Sequence, residues 1–325
     1  MSQSEVKLLE VRDVEKVFNV KVGTFETKDL HALNKISFDI YKGKTLSLVG
    51  ESGCGKTTVG KVILGLYKAS KGSVIFQDKD IAKITPLKRG SLQKDVQMIF
   101  QDPYSSLNPR KKIQTILEQP LKIHTKMNKK ERLETILSLC DDVGIDHSYL
   151  TRYPHQFSGG QRQRIAIARA MILKPELILA DEPISALDVS IQAQIINLMM
   201  DLKDKYKLTT LFITHDISVV KHLSDYVAVM YLGEIVEYAS KDDLFKSPKH
   251  PYTKMLFSTV PDIHTPLMTE SVLKTGEIQS PIDLPSGCFF ANRCPYKVAT
   301  CEESHPELVD VGNKHLARCP KIGEF

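Results

Sequence analysis

The sequence predicts an α/β protein in which a mostly parallel sheet is covered by helices. Short apolar runs alternate with segments of helical period in residues 1–245, and strands that alternate with helices form parallel sheets. Residues 102–174 interrupt this alternation with helical periodicity alone, which predicts a helical subdomain. From about residue 246 the periodicity fades and prolines become frequent, so residues 246–325 are expected to form a C-terminal extension.

The predicted elements follow from periodicity and from the turn residues between them. Short apolar runs predict strands over Leu8–Val11, Ile36–Ile40, Thr45–Val49, Val74–Phe76, Val96–Phe100, Leu177–Ala180, Thr209–Thr214, Val227–Met230 and Ile235–Ala239. Helical spacing predicts helices over Thr58–Leu66, Ile113–Leu121, Lys129–Val143, Gln161–Leu173 and Val189–Tyr206. The polar, glycine-containing stretch Asn19–Leu30 is predicted to be a surface loop.

The composition is that of an ordinary globular chain. Of the 325 residues, 42% are hydrophobic and 26% are charged, and the formal net charge is +5. The basic residues are spread along the chain, which argues against a nucleic-acid partner. No apolar run is long enough to span a bilayer, and residues 1–10 carry no signal-peptide pattern. A cytosolic chain is therefore expected, unless another protein holds it at a membrane.

The most specific motif is the phosphate-loop pattern G-x-x-x-x-G-K-S/T at Gly50–Thr57. It follows an apolar run and precedes a helical segment, which is the context that the motif requires. Its glycines allow successive backbone N–H groups to cradle phosphate oxygens, helped by the positive end of the helix. Lys56 would reach the β- and γ-phosphates, and the Thr57 hydroxyl would ligate Mg²⁺. The sequence therefore predicts a nucleotide-binding site.

Polar residues at the ends of two later strands extend this site. The run Leu177–Ala180 leads into Asp181, which suits a contact to Mg²⁺, and Glu182, which would polarise an attacking water as general base. The alternative is a strand that ends in two solvated acids. His215 follows Thr209–Thr214 at the kind of edge where α/β sheets bind ligands, although a lone histidine is more often structural.

A second glycine motif, Ser158-Gly159-Gly160-Gln161, comes directly before a predicted helix. By the helix-dipole argument it is another anion-binding element. One nucleotide does not need two such elements from a single chain, so the motif is expected to serve a nucleotide held by another subunit. The alternative is a helix cap with flexible glycines.

Four of the six cysteines cluster near the end of the chain, at Cys288, Cys294, Cys301 and Cys319. Their spacing is C-x5-C-x6-C-x17-C, whereas structural zinc sites use tighter pairs and iron–sulfur clusters tolerate varied spacing. A metal staple would suit a small, loop-rich segment, and four unconnected thiols are the alternative. The remaining two, Cys54 and Cys140, are expected to be packing residues.

Taken in order, these motifs resemble the ATPase subunit of an ATP-binding-cassette (ABC) transporter over about residues 6–245. The matched motifs are Walker A at Gly50–Thr57, the Q-loop at Gln101, the signature at Ser158–Gln161, Walker B at Leu177–Glu182, the D-loop at Ser185–Asp188 and the switch histidine in Ile213–Asp216. The resemblance implies the family's α/β core with an antiparallel β subdomain. It also implies a head-to-tail dimer that holds two ATP molecules between its subunits.

The resemblance implies a role for each matched residue. ATP would be bound by Phe18, Gly50, Glu51, Ser52, Gly53, Cys54, Gly55, Lys56, Thr57, Thr58, Gln101, Asp181 and His215. The ATP held by the other subunit would be contacted by Ser158, Gly159, Gly160, Gln161 and Asp188. Mg²⁺ would be ligated by Thr57, Gln101 and Asp181. The catalytic residues would be the base Glu182, His215 on the γ-phosphate and water, Lys56, and the γ-phosphate sensor Gln101.

Phe18 has three interpretations. Aromatic residues are mostly buried, which favours a place in the core. An exposed aromatic is the second possibility. The resemblance implies the third, a platform on which the adenine ring stacks.

The chain also resembles one subfamily, the dipeptide/oligopeptide and nickel importer ATPases, in Gln101–Pro109, Ala186–Ser190 and His250–Thr253. That resemblance implies a second homologous ATPase as partner, two transmembrane permease subunits and an extracytoplasmic substrate-binding protein. It places the chain at the cytoplasmic face of the membrane. It also favours peptide over nickel as cargo, and a 4Fe–4S cluster over zinc at the clustered cysteines.

Two other function classes stay open. A soluble cassette ATPase acting in translation or DNA repair usually carries two cassettes or a long coiled-coil insertion, and the sequence shows neither. The cysteine-rich tail could instead be a redox sensor that regulates the ATPase. Activity that follows the oxidation state of the cluster would distinguish that role.

Overall fold

The computed structural model describes residues 5–22, 26–83, 90–258 and 279–324. The chain divides into two compact units. The first comprises the described residues within 1–41, 45–82 and 213–325, and the second comprises those within 42–44 and 83–212. The C-terminal extension thus falls in the same unit as the N-terminal strands, and the domain boundary at residue 245 stays a prediction.

The strands are β1 (Lys7–Val22), β2 (Glu26–Tyr41), β3 (Thr45–Val49), β4 (Lys71–Phe76), β5 (Lys79–Asp80), β6 (Val96–Ile99), β7 (Leu177–Asp181), β8 (Thr209–Thr214), β9 (Tyr226–Tyr231), β10 (Glu234–Ser240), β11 (Val309–Asp310) and β12 (Leu316–Ala317). The helices are α1 (Lys56–Ile63), α2 (Gly90–Asp95), α3 (Pro103–Ser106), α4 (Ile113–His124), α5 (Lys129–Val143), α6 (Gly159–Met171), α7 (Val189–Tyr206), α8 (Ile217–Leu223), α9 (Lys241–Lys246), α10 (Pro251–Ser258) and α11 (Thr300–Glu303). Within the described residues, no helix combines the length and the apolar composition that crossing a bilayer requires.

The first unit contains an antiparallel sheet with the strand order β2-β1-β4-β5. β1 and β2 form a long hairpin in which Asn19 pairs with Asp29. The surface loop predicted over Asn19–Leu30 is therefore wrong, except that its residues 23–25 lie outside the described part of the chain. The outer part of the hairpin is exposed or half-buried on both faces, so it lacks the apolar alternation that marks a strand in a sequence.

A second sheet of this unit has the order β11-β12-β10-β9-β3. β3 runs parallel to β9, and β9 and β10 form the predicted hairpin. The extension contributes the last two strands, because Leu316 of β12 pairs with Tyr238 of β10 and β11 pairs with β12. The chain beyond residue 300 therefore continues the sheet that carries the phosphate loop.

The extension packs its apolar side chains into the core of this sheet. Phe289, Phe290 and Cys294 belong to one buried cluster with Tyr231 and Tyr252. The ring centroids of Tyr231 and Tyr252 lie 4.7 Å apart, and those of Tyr231 and Phe290 lie 5.4 Å apart. Burying each large apolar side chain contributes roughly 1.5–3 kcal/mol, so this cluster is a substantial part of what holds the extension.

Two buried carboxylates of β10 also hold the extension. Glu234 Oε2 lies 2.8 Å from His305 Nε2 and 3.4 Å from Arg318 Nε. Glu237 Oε1 lies 2.6 Å from His315 Nε2, and its other oxygen accepts a backbone N–H just before α10 at 2.9 Å. A buried carboxylate is costly unless it is paired and hydrogen-bonded, so both acids favour the docked extension.

The second unit contains strands in the order β8-β7-β6, of which β6 and β7 are parallel, together with helices α2 to α7. The last two residues of β8 belong to the first unit. The helices predicted over Lys129–Val143 and Val189–Tyr206 are confirmed at both ends. α6 begins at Gly159, two residues before the predicted start, because the side chains of Ser158 and Gln161 form a capping box.

Candidate active site

The phosphate loop Gly50–Thr57 connects β3 to α1 in the first unit. Gly50 has a φ of 153° and Gly55 a φ of 106°. A Cβ atom on Gly50 would lie 2.1 Å from the carbonyl oxygen of Met230, and one on Gly55 would lie 2.5 Å from that of Ala32. No side chain fits at either position, so the close approach of the loop to β9 and β2 requires glycine.

Lys56 is buried within the loop. Its ammonium group donates to the carbonyl oxygens of Gly50 and Glu51, both at 2.8 Å, and lies 3.8 Å from Cys54 Sγ. Burial raises the pKa of the Cys54 thiol, and the side chain is 7% exposed, as expected of a packing residue. The pair Thr57–Thr58 follows in the first turn of α1.

Two residues of the extension contact the loop at Glu51. Arg293 Nη1 and Nη2 donate to Glu51 Oε2 and Oε1 at 2.7 and 2.8 Å, which is a bidentate pair. The backbone N–H of Glu51 donates to the Tyr252 hydroxyl at 2.9 Å. The sequence signalled neither contact, because Tyr252 stood out only as part of a subfamily motif and no pattern marked Arg293.

Two further predicted residues belong to the first unit. Phe18 is half-buried on the β1–β2 hairpin, with its ring edge-on to Tyr67 at 5.2 Å and the Lys16 ammonium 4.6 Å from its centroid. It is therefore neither a core residue nor a bare surface aromatic, and adenine stacking stays a prediction. His215 is exposed directly after β8, and the next residue, Asp216, caps α8 by accepting the Ser218 N–H at 2.9 Å.

In the second unit, Gln101 and Glu182 meet. The side-chain amide of Gln101 donates to Glu182 Oε2 at 3.1 Å. Asp181, the last residue of β7, is 4% exposed, whereas Glu182 is half-buried with a φ of 44°. A non-glycine residue in this left-handed region stores about 1–3 kcal/mol of strain, and such residues cluster at functional sites. The Glu182 carbonyl oxygen accepts from the N–H and hydroxyl of Ser185, which holds the turn.

The signature segment forms the start of α6 in the same unit. Ser158 Oγ accepts the Gln161 N–H at 3.4 Å, and Gln161 Oε1 accepts the Ser158 N–H at 3.1 Å. A Cβ atom on Gly160 would lie 2.6 Å from Ile191 Cγ2 of α7, so this glycine permits close helix packing. Asp188 is exposed and begins α7 as its N-terminal cap. The capping alternative is thus confirmed for Ser158, and service to a second nucleotide stays a prediction.

The predicted site residues are divided between the two units. The first unit holds Phe18, the whole phosphate loop and His215, whereas the second holds Gln101, Ser158–Gln161, Asp181, Glu182 and Asp188. Within their own units, Lys56 lies inside its loop and Gln101 contacts Glu182.

The four clustered cysteines line one cavity of the first unit, together with His250, Phe290 and Tyr296. The backbone N–H of Cys288 donates to the Cys301 carbonyl oxygen at 2.7 Å, which ties two of the four positions together. Burial raises the pKa of the Cys288 thiol to about 12 and that of Cys319 to about 11. Among the described residues, no three His, Cys, Asp or Glu side chains form a group that could hold a metal ion. Cys140 lies elsewhere, fully buried on α5 as a packing residue.

A phosphate loop between a buried parallel strand and a helix, with two acids at the end of another parallel strand, defines a phosphate-loop nucleotide-binding protein of the α/β class. Residues 33–185 match the family described as ABC transporter. Residues 236–301 match the family described as oligopeptide/dipeptide transporter, C-terminal region.

Relatives match along nearly the whole chain. The oligopeptide transport ATP-binding protein AppF of Bacillus subtilis is 48% identical over 96% of this chain and 96% of its own length. The dipeptide transport ATP-binding protein DppF of Escherichia coli is 45% identical over 95% of this chain and 93% of its own. A dimeric, post-hydrolysis structure of the ATP-binding cassette MJ0796 with ADP and Pi matches with a TM-score of 0.64 at 28% identity, over 72% of this chain and 98% of that one. The chain therefore belongs to the ABC transporter ATPases of the oligopeptide/dipeptide type.

Proposed function

We propose that the chain is the ATP-hydrolysing subunit of an importer that takes up dipeptides or oligopeptides. Its relatives carry the names of oligopeptide and dipeptide transport ATP-binding proteins, and its C-terminal segment matches the region specific to that group. The observation that carries the proposal is the intact phosphate loop, whose buried Lys56 is directed at the loop carbonyls. Nickel or a metal chelate is the alternative cargo, since this subunit would not contact the cargo itself.

The phosphate loop would bind the nucleotide. Backbone N–H groups of Gly50–Gly55 would cradle the phosphates, and Lys56 would exchange its loop carbonyls for β- and γ-phosphate oxygens. The hydroxyl, carboxylate and amide oxygens of Thr57, Asp181 and Gln101 are the hard ligands that Mg²⁺ prefers, so this donor set fits the ion. Mg²⁺, when bound, would neutralise charge that develops on the transferred phosphoryl group.

Glu182 would act as the general base. Its carboxylate would accept a proton from the water that attacks the γ-phosphorus, while Gln101, already bonded to that carboxylate, would orient it. The left-handed backbone at Glu182 supports this role, because residues in such strained conformations cluster at functional sites. His215 would hold the γ-phosphate and the water.

The complete transporter would contain further chains. We propose a head-to-tail pair with a homologous ATPase, in which Ser158–Gln161 and Asp188 of this chain close the partner's ATP site. The exposed Ser158 and Asp188 at two helix N-termini support this assignment. Two permease subunits would hold the pair at the cytoplasmic face of the membrane, and an extracytoplasmic binding protein would deliver the cargo.

The test is uptake by the reconstituted transporter. Subunits that co-purify with the tagged chain from gently solubilised membranes would be placed in proteoliposomes with ATP and either labelled dipeptide, labelled hexapeptide or nickel. Peptide uptake that stops in Lys56→Ala supports the proposal. Nickel uptake without peptide uptake selects the alternative cargo, and recovery of the chain with ribosomes or DNA in place of permeases overturns the transport function.

We further propose that the cysteine cavity holds a structural 4Fe–4S cluster. Four thiols lining one cavity form the donor set of such a cluster. In a cluster each thiolate binds a different iron, so the sulfurs stand farther apart than around a single ion. No three described His, Cys, Asp or Glu side chains form a group that could hold one metal ion, so the proposal rests on the four thiols that line the cavity.

Anaerobic purification followed by iron, sulfide and zinc analysis tests the cluster. Four irons and four sulfides per chain are expected in the wild type and in Cys140→Ser, which changes a buried thiol outside the cavity, and they should be lost in Cys294→Ser. A folded, metal-free chain would overturn the proposal. One zinc per chain would overturn it as well, because it would show that a single zinc ion occupies the cavity in place of the cluster.

A further inference from the structure

Arg293 and Glu51 form an ion pair between the extension and the phosphate loop. Both guanidinium Nη atoms bond the carboxylate, at 2.7 and 2.8 Å, and the Arg293 side chain is only 9% exposed. A guanidinium group is charged at any ordinary pH, so the pair joins a fixed cation to the carboxylate. A shielded, bidentate pair of this kind fixes the orientation of the Glu51 side chain.

Tyr252 fixes the backbone of the same loop residue. Its hydroxyl accepts the Glu51 N–H at 2.9 Å, and its ring is fully buried against Tyr231 and Phe290 at 4.7 and 5.4 Å. The N–H of Tyr252 donates to the ring nitrogen Nδ1 of His250 at 3.1 Å, which leaves the tyrosine little freedom. The extension therefore holds the second residue of the loop by both its side chain and its main chain.

The ion pair also affects the charge that the phosphate loop presents to a nucleotide. A loop that binds a nucleotide's phosphates receives several negative charges, and an uncompensated carboxylate in that loop would repel them. Arg293 neutralises Glu51 from outside the loop, so it removes this repulsion while Lys56 stays inside it.

We infer that Arg293 and Tyr252 are positioning residues for the phosphate loop, through which the extension sets the affinity for the nucleotide's phosphates. The inference rests on the proposed function, because it assumes that this loop binds ATP. Arg293 directly precedes Cys294, whose side chain belongs to the same buried cluster as Tyr252, so the fold of the cysteine-rich segment determines where the guanidinium lies.

The test measures the Kd of the full-length chain for a non-hydrolysable ATP analogue with Mg²⁺. Arg293→Met should raise the Kd about tenfold, which corresponds to about 1.4 kcal/mol. Arg293→Lys keeps the positive charge but cannot form the bidentate pair, so its Kd should lie between those of Arg293→Met and the wild type. The double variant Arg293→Met/Glu51→Gln removes the carboxylate as well and should bind more tightly than Arg293→Met alone, because no uncompensated charge remains. In turnover assays the change should appear in KM, with kcat nearly constant.

Arg318→Met is the matched control. Arg318 also belongs to the extension and pairs with the buried Glu234, but the contacts observed for it are with β10, Pro306 and His305. This variant should lower the melting temperature and leave the Kd unchanged. If Arg293→Met does not fold, Tyr252→Phe, which removes only the hydroxyl, should still raise the Kd about threefold by losing one hydrogen bond.

The outcomes separate the inference from the function on which it rests. A wild-type chain that does not bind the analogue overturns the proposed function. A wild type that binds, with Arg293→Met and Tyr252→Phe at the same Kd, overturns the inference alone. A double variant as weak as Arg293→Met also overturns it, because the loss would then not arise from Glu51.

Discussion

Gln101 and Glu182 lie 81 positions apart in the sequence and share one hydrogen bond of 3.1 Å in the second unit. The bond joins the start of the helical region to the end of β7. Any displacement of residue 101 therefore changes the orientation of the carboxylate that we assign as the base. This contact would give Gln101, the proposed γ-phosphate sensor, a direct physical means of acting on hydrolysis.

Replacing Glu182 by Gln should abolish hydrolysis while ATP still binds. The amide oxygen can still accept the hydrogen bond from Gln101, so the geometry is kept and only the base is lost. A general base contributes about 10²–10⁴-fold, and turnover should fall by that factor while ATP stays bound to the purified protein. Phosphate release and nucleotide retention measure the two effects. Near-normal turnover would mean that another group is the base.

Gly50→Ala should disrupt the phosphate loop, whereas Gly53→Ala should be much milder. Both glycines have positive φ, but the new Cβ at Gly50 would meet the Met230 carbonyl oxygen at 2.1 Å while that at Gly53 has nothing within 4 Å. Gly53→Ala should thus cost only the left-handed strain, about 1–2 kcal/mol. Thermal melts and ATP-analogue binding compare the two. Equal losses of thermal stability and of analogue binding in the two variants would show that the positive φ alone, and not the close approach to β9, sets the cost of the substitution.

The docking of the extension should weaken as the pH rises. The Glu234 carboxylate raises the pKa of His305, with a smaller contribution from the Gly287 carbonyl group, while burial and Arg318 act in the opposite direction. A folded-state pKa above the ordinary 6.5 means that this stabilisation is complete below pH 6.5 and is lost as the pH rises through the raised value.

Urea unfolding of the wild type and of His305→Gln, from about pH 5 to about pH 9, measures this effect. The difference in unfolding free energy between the two should shrink towards high pH. A difference that is constant across the range would show that His305 does not titrate against Glu234.

Gly287→Ala should loosen the cysteine segment. A Cβ atom there would lie 2.2 Å from the Cys301 carbonyl oxygen and 2.7 Å from Glu302 Cα, and neither backbone atom can move without breaking the Cys288–Cys301 hydrogen bond. Limited proteolysis should cut the extension faster in this variant. Ser286→Ala is the control at an exposed neighbour: it loses only the 3.4 Å hydrogen bond from its hydroxyl to the Glu302 carbonyl oxygen and should stay close to the wild type. Unchanged proteolysis in Gly287→Ala would contradict the packing described.

The sequence predicted the phosphate loop and the acids of β7 because their signal is local. A fixed spacing of glycines and Lys56 between an apolar run and a helix specifies one structure, and an apolar run that ends in Asp181-Glu182 specifies another. The loop prediction for Asn19–Leu30 was wrong because a hairpin that is exposed to solvent on both faces has the composition of a loop.

The contact of Arg293 with Glu51, by contrast, has no local signal in the sequence. Its partners lie 242 residues apart, and neither position carries a periodicity or a motif that names the other. The left-handed φ of Glu182 was equally hidden, because no glycine or asparagine marks the turn. The features that could be predicted depend on neighbours along the chain. The features that could not be predicted depend on tertiary packing.

The way β11 and β12 extend the second sheet of the first unit affects solubility. An open strand edge is a template for pairing with another chain, and proteins blunt such edges by making the outermost strands very short. β12 covers part of β10, and β11 and β12 have two residues each, so little unpaired backbone is offered for intermolecular pairing. A chain truncated before Leu316 would leave this side of β10 open, and it should aggregate even if its nucleotide site were intact.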